Sequence, residues 1–163
     1  MIKKRIYNAW YNMKSRVKNN PSYKDCAICK EWQSFANFKT FYDNNYIENY
    51  ELDKDLLGDG KLYSPETCCF VPHKINTLLK TQRKDSFLPI GVFKNGKGYV
   101  ALCQDYNKKL RCLGTFKTKE KAQRVYGAYK AAIVYDVATD FFNDGKISRK
   151  VYETILTKRL IAM

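Results

Sequence analysis

Between residues 52 and 76 the chain places acidic, basic, thiol, imidazole and amide side chains in one short stretch, LDKDLLGDGKLYSPETCCFVPHKIN. Asp53 lies near its start and Asn76 at its end. Carboxylate and amide oxygens are ligands that hard divalent cations such as Mg²⁺ prefer. Asp53, Asp55 and Asn76 therefore give this stretch ligand types that suit a divalent-metal site. The alternative is a polar strand end at which Asp53 and Asp55 only form a turn.

Two basic side chains of this stretch are candidates for handling a proton or a phosphate. Lys54 has an ordinary pKa near 10.4 and is a poor base at neutral pH, unless burial or a nearby metal lowers that pKa. Otherwise it holds a phosphate. His73, the chain's only histidine, lies three residues before Asn76 and so on nearly the same face of a helix. Three interpretations of His73 are open: a second metal ligand, a general base in place of Lys54, or an ordinary histidine without a catalytic role.

Cysteines offer a second kind of metal site. Cys26 and Cys29 have the Cys-x-x-Cys spacing, and either Cys68 or Cys69 with His73 would complete a tetrahedral structural zinc site. The alternative is that these thiols are buried as apolar groups beside the aromatic residues. The other two cysteines, Cys103 and Cys112, fall in predicted neighbouring strands and are interpreted as apolar filler.

The net charge indicates a polyanionic partner. The chain carries a formal charge of +14 and has a pI near 9.5. Residues 80–163 hold 18 basic against 7 acidic side chains, whereas residues 1–79 hold 12 against 9. Neutralising phosphates with Lys and Arg releases condensed counterions, so nucleic acid is the first expectation and an anionic membrane surface the second.

The sequence argues against a membrane span and a secretory signal. No apolar run approaches the roughly 18 residues of a membrane span. The N-terminal sequence MIKKRIYNAW lacks the apolar segment of a secretory signal. We therefore expect a cytoplasmic protein whose cysteines are reduced.

Apolar spacing predicts helices and two short strands in the first part of the chain. Residues at three- and four-residue spacing from Ile2 to Val17 predict an amphipathic helix that ends near KNNPSY, and aromatic residues from Trp32 to Phe41 are expected to form core. A strand at 50–53, a second strand at 69–71 and a helix from about Pro72 should follow. A polar segment places the domain boundary near residue 86, giving a first domain of 1–86.

Residues 87–163 predict a second, separate domain. Asn95-Gly96 between β-prone runs predicts a hairpin in which both turn residues take positive φ. LRCLGTF supplies a third strand, Thr118 caps a helix, and a last helix covers roughly 148–160. The predicted fold class is therefore α+β, with a three-stranded antiparallel sheet packed on a helix.

This second domain resembles the Apetala-type (ethylene-response-factor-like) DNA-binding domain. The matching residues are Gly91-Val92, Tyr99, Ala101, Leu113-Gly114-Thr115-Phe116, Thr118, Glu120, Ala122 and Tyr126. The resemblance implies that one face of the sheet lies in the major groove of double-stranded DNA. Strand alternation nominates the polar candidates Lys94, Lys97, Tyr99, Gln104, Lys108, Lys109 and Arg111. Arg111 and Gln104 are of types that contact bases, whereas the lysines position the backbone.

The chain from about Tyr7 onward resembles phage-encoded HNH-like (homing-type) endonucleases, which join a ββα-metal motif to such a domain. The segments that carry the resemblance are AWYNMKSR, CKEWQSFANF, LDKDLLGDGKLYSPETC and VPHKIN. It implies a one-metal Mg²⁺ or Mn²⁺ site with Asp53 as the metal-binding acid, Lys54 at the general base, Thr67 at the orienting residue and Asn76 as the helix ligand. Lys54 stands where such enzymes usually carry histidine. A phage origin implies the cytoplasm of a bacterial host.

Two other functions remain open on the sequence. Lys54 favours a catalytically degenerate protein that binds DNA or regulates it and keeps the nuclease scaffold as a second phosphate clamp. A structural or host-directed protein whose basic surface meets an acidic partner is the third possibility. Salt dependence of DNA binding separates the third function from the other two, and metal-dependent cleavage separates the first from the second.

Overall fold

The chain is a mixed α+β structure that divides into two units, as a computed structural model that describes residues 2–79 and 87–161 shows. The first unit ends at Asn76 and the second begins at Thr77. The boundary that the sequence predicts near residue 86 falls within 80–86, which lie outside the described residues. Among the described residues, no helix is long and apolar enough to cross a membrane.

The first unit begins with helix α1 (Ile2–Asn19), which confirms the amphipathic helix predicted there. Its buried face carries Ile6 and Met13, while most of its lysines lie on the exposed side. The helix stops where the side chain of Asn20 accepts a hydrogen bond from the backbone N–H of Ser22 and Pro21 begins a short 3-10 helix. Proline and this Asn-centred turn therefore end α1 as the sequence predicts.

Aromatic side chains make the core of the first unit. Helix α2 (Phe35–Asn45) buries Phe38 against Trp32, with their ring centroids 5.1 Å apart in an edge-to-face arrangement. Tyr42 and Phe70 continue the cluster with centroids 5.0 Å apart. The prediction that this aromatic series is core is confirmed.

Two small sheets of the first unit are formed largely by residues of the stretch 52–76. Strand β2 (Tyr50–Asp53) pairs antiparallel with β4 (Cys69–Pro72), and helix α3 (His73–Leu78) follows directly. The predicted order of strand, strand and helix is confirmed. A parallel pair of two-residue strands, β1 (Ala27–Ile28) and β3 (Leu62–Tyr63), was not expected, because so short a pairing leaves no periodicity in the sequence.

The second unit is a three-stranded antiparallel sheet packed on a long helix, as predicted. Strands β5 (Val92–Asn95), β6 (Gly98–Gln104) and β7 (Leu110–Phe116) lie in that order. Helix α4 (Lys119–Asn143) packs on the sheet and helix α5 (Arg149–Ile161) packs on α4. The Thr118 hydroxyl accepts a 3.3 Å hydrogen bond from the N–H of Lys121, which confirms the predicted cap.

The turn between β5 and β6 differs from the Asn-Gly turn that the sequence predicts. Asn95 pairs with Gly98, so the two central residues are Gly96 and Lys97. Of the two, Gly96 alone has a positive φ, 56°, which is the pattern of a type II′ turn with glycine at its first central position. The hairpin is confirmed, but the expectation of positive φ at Asn95 is wrong, because the register moves the turn by one residue.

The residues that α4 buries determine which strand positions face the helix and which face away from it. Val92, Ala101 and Cys103 are buried, and Ala101 pairs with both Val92 and Gly114. Between the pairs of Ala101 and Leu102 the ladder shifts, because Leu113 is an extra residue opposite them. Since side chains alternate along a strand, these buried residues define one face of the sheet as the helix side and the other as the outer face.

Candidate functional site

Asp53 ends β2 and its carboxylate closes the following turn. Its Oδ1 accepts hydrogen bonds from the backbone N–H groups of Asp55 at 2.9 Å and Leu56 at 2.7 Å. Burial raises the pKa of Asp53 above its usual value, and these two hydrogen bonds only partly offset that effect. The turn-forming role is therefore observed, and a metal-binding role remains a prediction.

Lys54 is buried, with only 8% of its surface exposed. Its Nζ donates hydrogen bonds to Asp55 Oδ1 at 2.5 Å and to the carbonyl oxygen of Gly60 at 2.6 Å. The rings of Tyr23 and Tyr63 lie 5.2 and 5.7 Å from the same nitrogen, within the range of cation–π contact. Burial lowers the pKa of Lys54. The hydrogen bond to Asp55 and the negative charge of Asp55 raise that pKa by more, so it lies above its usual value. The protein groups around Lys54 therefore do not lower its pKa in the way that a general base requires.

Lys54 ties together the loop formed by residues 54–60. Gly60 has a φ of +80°, and a Cβ there would lie 2.5 Å from Asp55 Oδ1, so the loop closes on a glycine. The Gly60 carbonyl also accepts a hydrogen bond from Cys26 Sγ at 3.3 Å. One carbonyl oxygen thus joins the lysine after β2 to the thiol before β1, which makes Lys54 a structural anchor of the first unit.

Glu51 on β2 contacts the two candidate residues of α3, His73 and Asn76. Its Oε1 lies 2.7 Å from His73 Nδ1, and its Oε2 accepts a 2.7 Å hydrogen bond from Asn76 Nδ2. Glu51 and Asp53 are two residues apart on a strand, so both side chains project from the same face. The structure therefore places Asn76 and His73 on one carboxylate, next along the strand from Asp53. Glu51 was not among the predicted site residues, although its position two residues before Asp53 was the available signal.

The donor types at this face fit a hard divalent cation. Among the described residues, no three His, Cys, Asp or Glu side chains are grouped so as to hold a metal ion. Mg²⁺ needs less, because it is commonly bound through one or two carboxylates, with water and phosphate oxygens as the remaining ligands. Glu51 and Asp53 supply carboxylates and Asn76 supplies an amide oxygen.

Asp55 and Thr67, two further candidates, hold local backbone in place. Asp55 pairs with Lys54, as described above. Thr67 Oγ1 donates to the carbonyl of Leu62 at 2.7 Å and accepts from the N–H of Ser64 at 3.2 Å. These bonds close the turn between β3 and β4. An orienting role of Thr67 toward a catalytic side chain stays a prediction.

The four cysteines of the predicted zinc site are all free thiols. Cys26 is a hydrogen-bond donor to Gly60, and Cys69 lies on β4 opposite Asp53. Cys68 is buried, and this burial raises the pKa of its thiol to about 12. Cys68 therefore fits the alternative of a buried apolar group. The zinc site stays a prediction.

The candidate DNA contacts do not share one face of the sheet. Lys94 pairs with Tyr99 and Arg111 pairs with the buried Cys103, so these three candidates register on the helix side. Gln104 is the one candidate within a strand that lies on the outer face. Lys97, Lys108 and Lys109 lie in the turns. The prediction that these candidates share one face was thus wrong, because the alternation was not counted from the residues that α4 buries. Their role as DNA contacts stays a prediction.

Observed register gives the outer face a different composition. Cross-strand pairs join Phe93 to Val100, Leu102 to Cys112, and Gln104 to Leu110. Five of these six residues are apolar or a thiol, and all are half-buried or exposed. The outer face as defined by the register consists of Phe93, Asn95, Gly98, Val100, Leu102, Gln104, Leu110, Cys112 and Thr115.

Exposed lysines surround the ends of this sheet. Lys97 and Lys117 lie at the end that holds the β5–β6 turn, and Lys108 and Lys109 lie at the opposite end. We call these four the rim lysines. The β6–β7 turn is held by Asp105, whose carboxylate accepts a 2.8 Å bond from Arg111 Nε as well as bonds from backbone N–H groups at Asn107 and Lys109.

Two candidate sites follow from the structure. One is the face of β2 and α3 that carries Glu51, Asp53, His73 and Asn76 in the first unit. The other is the outer face with its rim lysines in the second unit. In comparisons with protein-family models, with curated proteins and with solved structures, no match to this chain was found.

Proposed function

We propose that this protein binds double-stranded DNA through the outer face of its three-stranded sheet, and that its first unit hydrolyses a DNA phosphodiester with one divalent metal ion. The observation that carries DNA binding is the position of the rim lysines at both ends of an otherwise uncharged sheet face. Residues 87–161 hold 15 Lys and Arg against 6 Asp and Glu, so the whole unit attracts a polyanion.

The dimensions of the sheet suit a major groove. Strands β6 and β7 are each seven residues long and so span about 20 Å. The major groove is about 12 Å wide and admits a β-ribbon. With Lys97 and Lys117 at one end and Lys108 and Lys109 at the other, the ammonium groups would reach phosphates on both sides of the groove.

Duplex binding over a range of salt concentrations tests this proposal. We expect binding measured by fluorescence anisotropy to weaken steeply from low to moderate salt. In a plot of the logarithm of the binding constant against the logarithm of the salt concentration, the Lys108→Ala, Lys109→Ala double variant should reduce the steepness of the slope by about 2. Lys146→Ala removes an exposed lysine that already pairs with Asp144 beyond α4, and should leave the slope unchanged. Absence of salt-dependent duplex binding would refute the proposal and favour an acidic protein partner.

The endonuclease part of the proposal is supported by Glu51, because its carboxylate joins β2 to α3. When bound, a divalent ion would polarise the phosphate and lower the pKa of an attacking water. Asp53 and Asn76, with Glu51 between them, are the residues that would hold it. His73, positioned by Glu51, would take up a proton, while Lys54 would stay charged and maintain the loop.

Cleavage assays separate this activity from a non-catalytic role. Pooled phage and bacterial genomic DNA is incubated with the protein and Mg²⁺ or Mn²⁺, beside Asp53→Asn and Asn76→Ala. We expect cuts with the wild type and none with either variant, at unchanged DNA affinity. Salt-dependent binding without cleavage would establish the alternative, in which the first unit is a second phosphate clamp. The raised pKa of Lys54 is the observation that favours that alternative.

A further inference from the structure

We infer that the outer face of the sheet selects A·T base pairs by contacting thymine methyl groups. This inference rests on the proposed DNA binding and adds to it the class of sequence that is read. Its starting point is the set of residue types that the register places on the outer face.

The outer face has no side chain that reads guanine well. Arg and Lys make the commonest specific contact, which is with guanine O6 and N7. The basic side chains within the three strands, Lys94 and Arg111, both register on the helix side. Arg111 Nε is also held by Asp105 at 2.8 Å. The outward positions of β5, β6 and β7 therefore carry neither Arg nor Lys.

The outer face is instead suited to the edges of A·T pairs. In the major groove thymine presents a C5-methyl group, and adenine presents N7 and N6 to the amide of Gln or Asn. Val100, Leu102 and Leu110 offer apolar surface, and Gln104 pairs directly with Leu110 across the strands. Gln104 and Leu110 therefore lie side by side, so one can contact an adenine while the other contacts a thymine methyl.

The exposure of outer-face residues indicates that this surface meets a polyanion, because a surface packed against the protein's own core would be buried. Leu110 is 60% exposed, and Gln104 and Cys112 are exposed as well. An apolar surface flanked at both ends by exposed lysines is complementary to a groove that is lined by methyl groups and bordered by phosphates.

Three duplexes of equal length test the inference: one of mixed A·T pairs, the same duplex with uracil for every thymine, and one of G·C pairs. Uracil lacks only the C5-methyl group. We expect the A·T duplex to bind most tightly, and replacement by uracil to weaken binding about fourfold for each methyl contacted. Measurements are made at one salt concentration, so that the phosphate contribution is the same in all three.

Variants at Leu110 assign the effect to the outer face. Leu110→Ala should bring the ratio of thymine to uracil affinity toward one, and Leu110→Arg should increase affinity for the G·C duplex. Because Leu110 is largely exposed, neither change disturbs the core. Tyr135→Ala removes a comparably exposed side chain on α4, 53% exposed, and should leave the ratio unchanged.

The outcomes separate this inference from the proposed function. Salt-dependent binding with equal affinity for all three duplexes would overturn A·T selection and leave DNA binding intact. Binding that depends on thymine methyls but ignores Leu110→Ala would also overturn it, because the contact would lie elsewhere. Self-association of the protein with no duplex binding would overturn both, and would identify the outer face as a protein interface.

Discussion

The ammonium group of Lys54 donates a 2.6 Å hydrogen bond to the carbonyl oxygen of Gly60, and two tyrosine rings lie within cation–π distance of it. This contact makes the lysine that stands at the expected catalytic base a part of the framework. The loop after β2 is closed by its side chain, and its charge is kept by Asp55.

Replacing Lys54 with methionine should therefore destabilise the first unit. Methionine keeps the apolar stem but leaves the Gly60 carbonyl and Asp55 without their charged donor, a loss of about 2–4 kcal/mol. Both tryptophans, Trp10 and Trp32, lie in the first unit, so urea unfolding followed by tryptophan fluorescence reports on that unit alone. Lys61→Met, an exposed change in the same loop region, is the matched control. Unchanged stability together with lost cleavage would restore a catalytic role for Lys54.

Asp53→Asn should stabilise the first unit at neutral pH. The amide oxygen still accepts from Asp55 and Leu56, but the buried charge is gone. The folded-state pKa of Asp53 is raised, so the folded protein binds more protons than the unfolded chain just above pH 3.8, and the wild type loses stability as the pH rises through that range.

The gain from Asp53→Asn should consequently be largest at pH 7 and shrink as the pH falls toward 4. Tryptophan-monitored unfolding at both pH values measures it. A variant less stable than the wild type at pH 7 would show that the carboxylate charge itself stabilises the turn, contrary to this expectation.

Glu51 should determine which nitrogen of His73 carries the proton. In the neutral ring, donation from Nδ1 to Glu51 Oε1 leaves the lone pair on Nε2. Because His73 is the chain's only histidine, its ¹⁵N signals need no assignment by mutation. We expect the Nδ1–H tautomer in the wild type and a loss of that preference in Glu51→Ala. Glu48→Ala, an exposed change just before β2, is the control, and an Nε2–H tautomer in the wild type would disprove the contact.

Glycine substitutions should have opposite effects within the second unit. Gly91 has a φ of +77°, and a Cβ there would lie 2.0 Å from the ring of Tyr126, so Gly91→Ala should cost roughly 2–5 kcal/mol. Gly127 lies inside α4 with open space around it, and Gly127→Ala should stabilise by about 0.5–1 kcal/mol. Urea unfolding followed by circular dichroism measures both, and tryptophan fluorescence should not change. A harmless Gly91→Ala would mean that Tyr126 packs elsewhere.

Elements with a strong local signal could be predicted from the sequence. Helix α1, the hairpin of β5 and β6, the cap at Thr118 and the strands at 50–53 and 110–116 depend on residues near one another in the chain. Such features rest on periodicity and turn chemistry, which act over a few residues. The candidate residues Asp53 and Asn76 were instead nominated by the resemblance of one short stretch to a nuclease motif, and their role as metal ligands stays a prediction.

What only the tertiary structure decided were relationships across the fold. The roles of Glu51 and Lys54 follow from partners on other elements, His73 and Asn76 on α3 and Tyr23 before β1, whose proximity no spacing records. The outer face of the sheet was likewise decided by α4. Because α4 buries Val92, Ala101 and Cys103, the remaining positions of the three strands are assigned to one face or the other by their register with these residues. Strand alternation has two possible parities, and the choice between them is made by the element packed against the sheet.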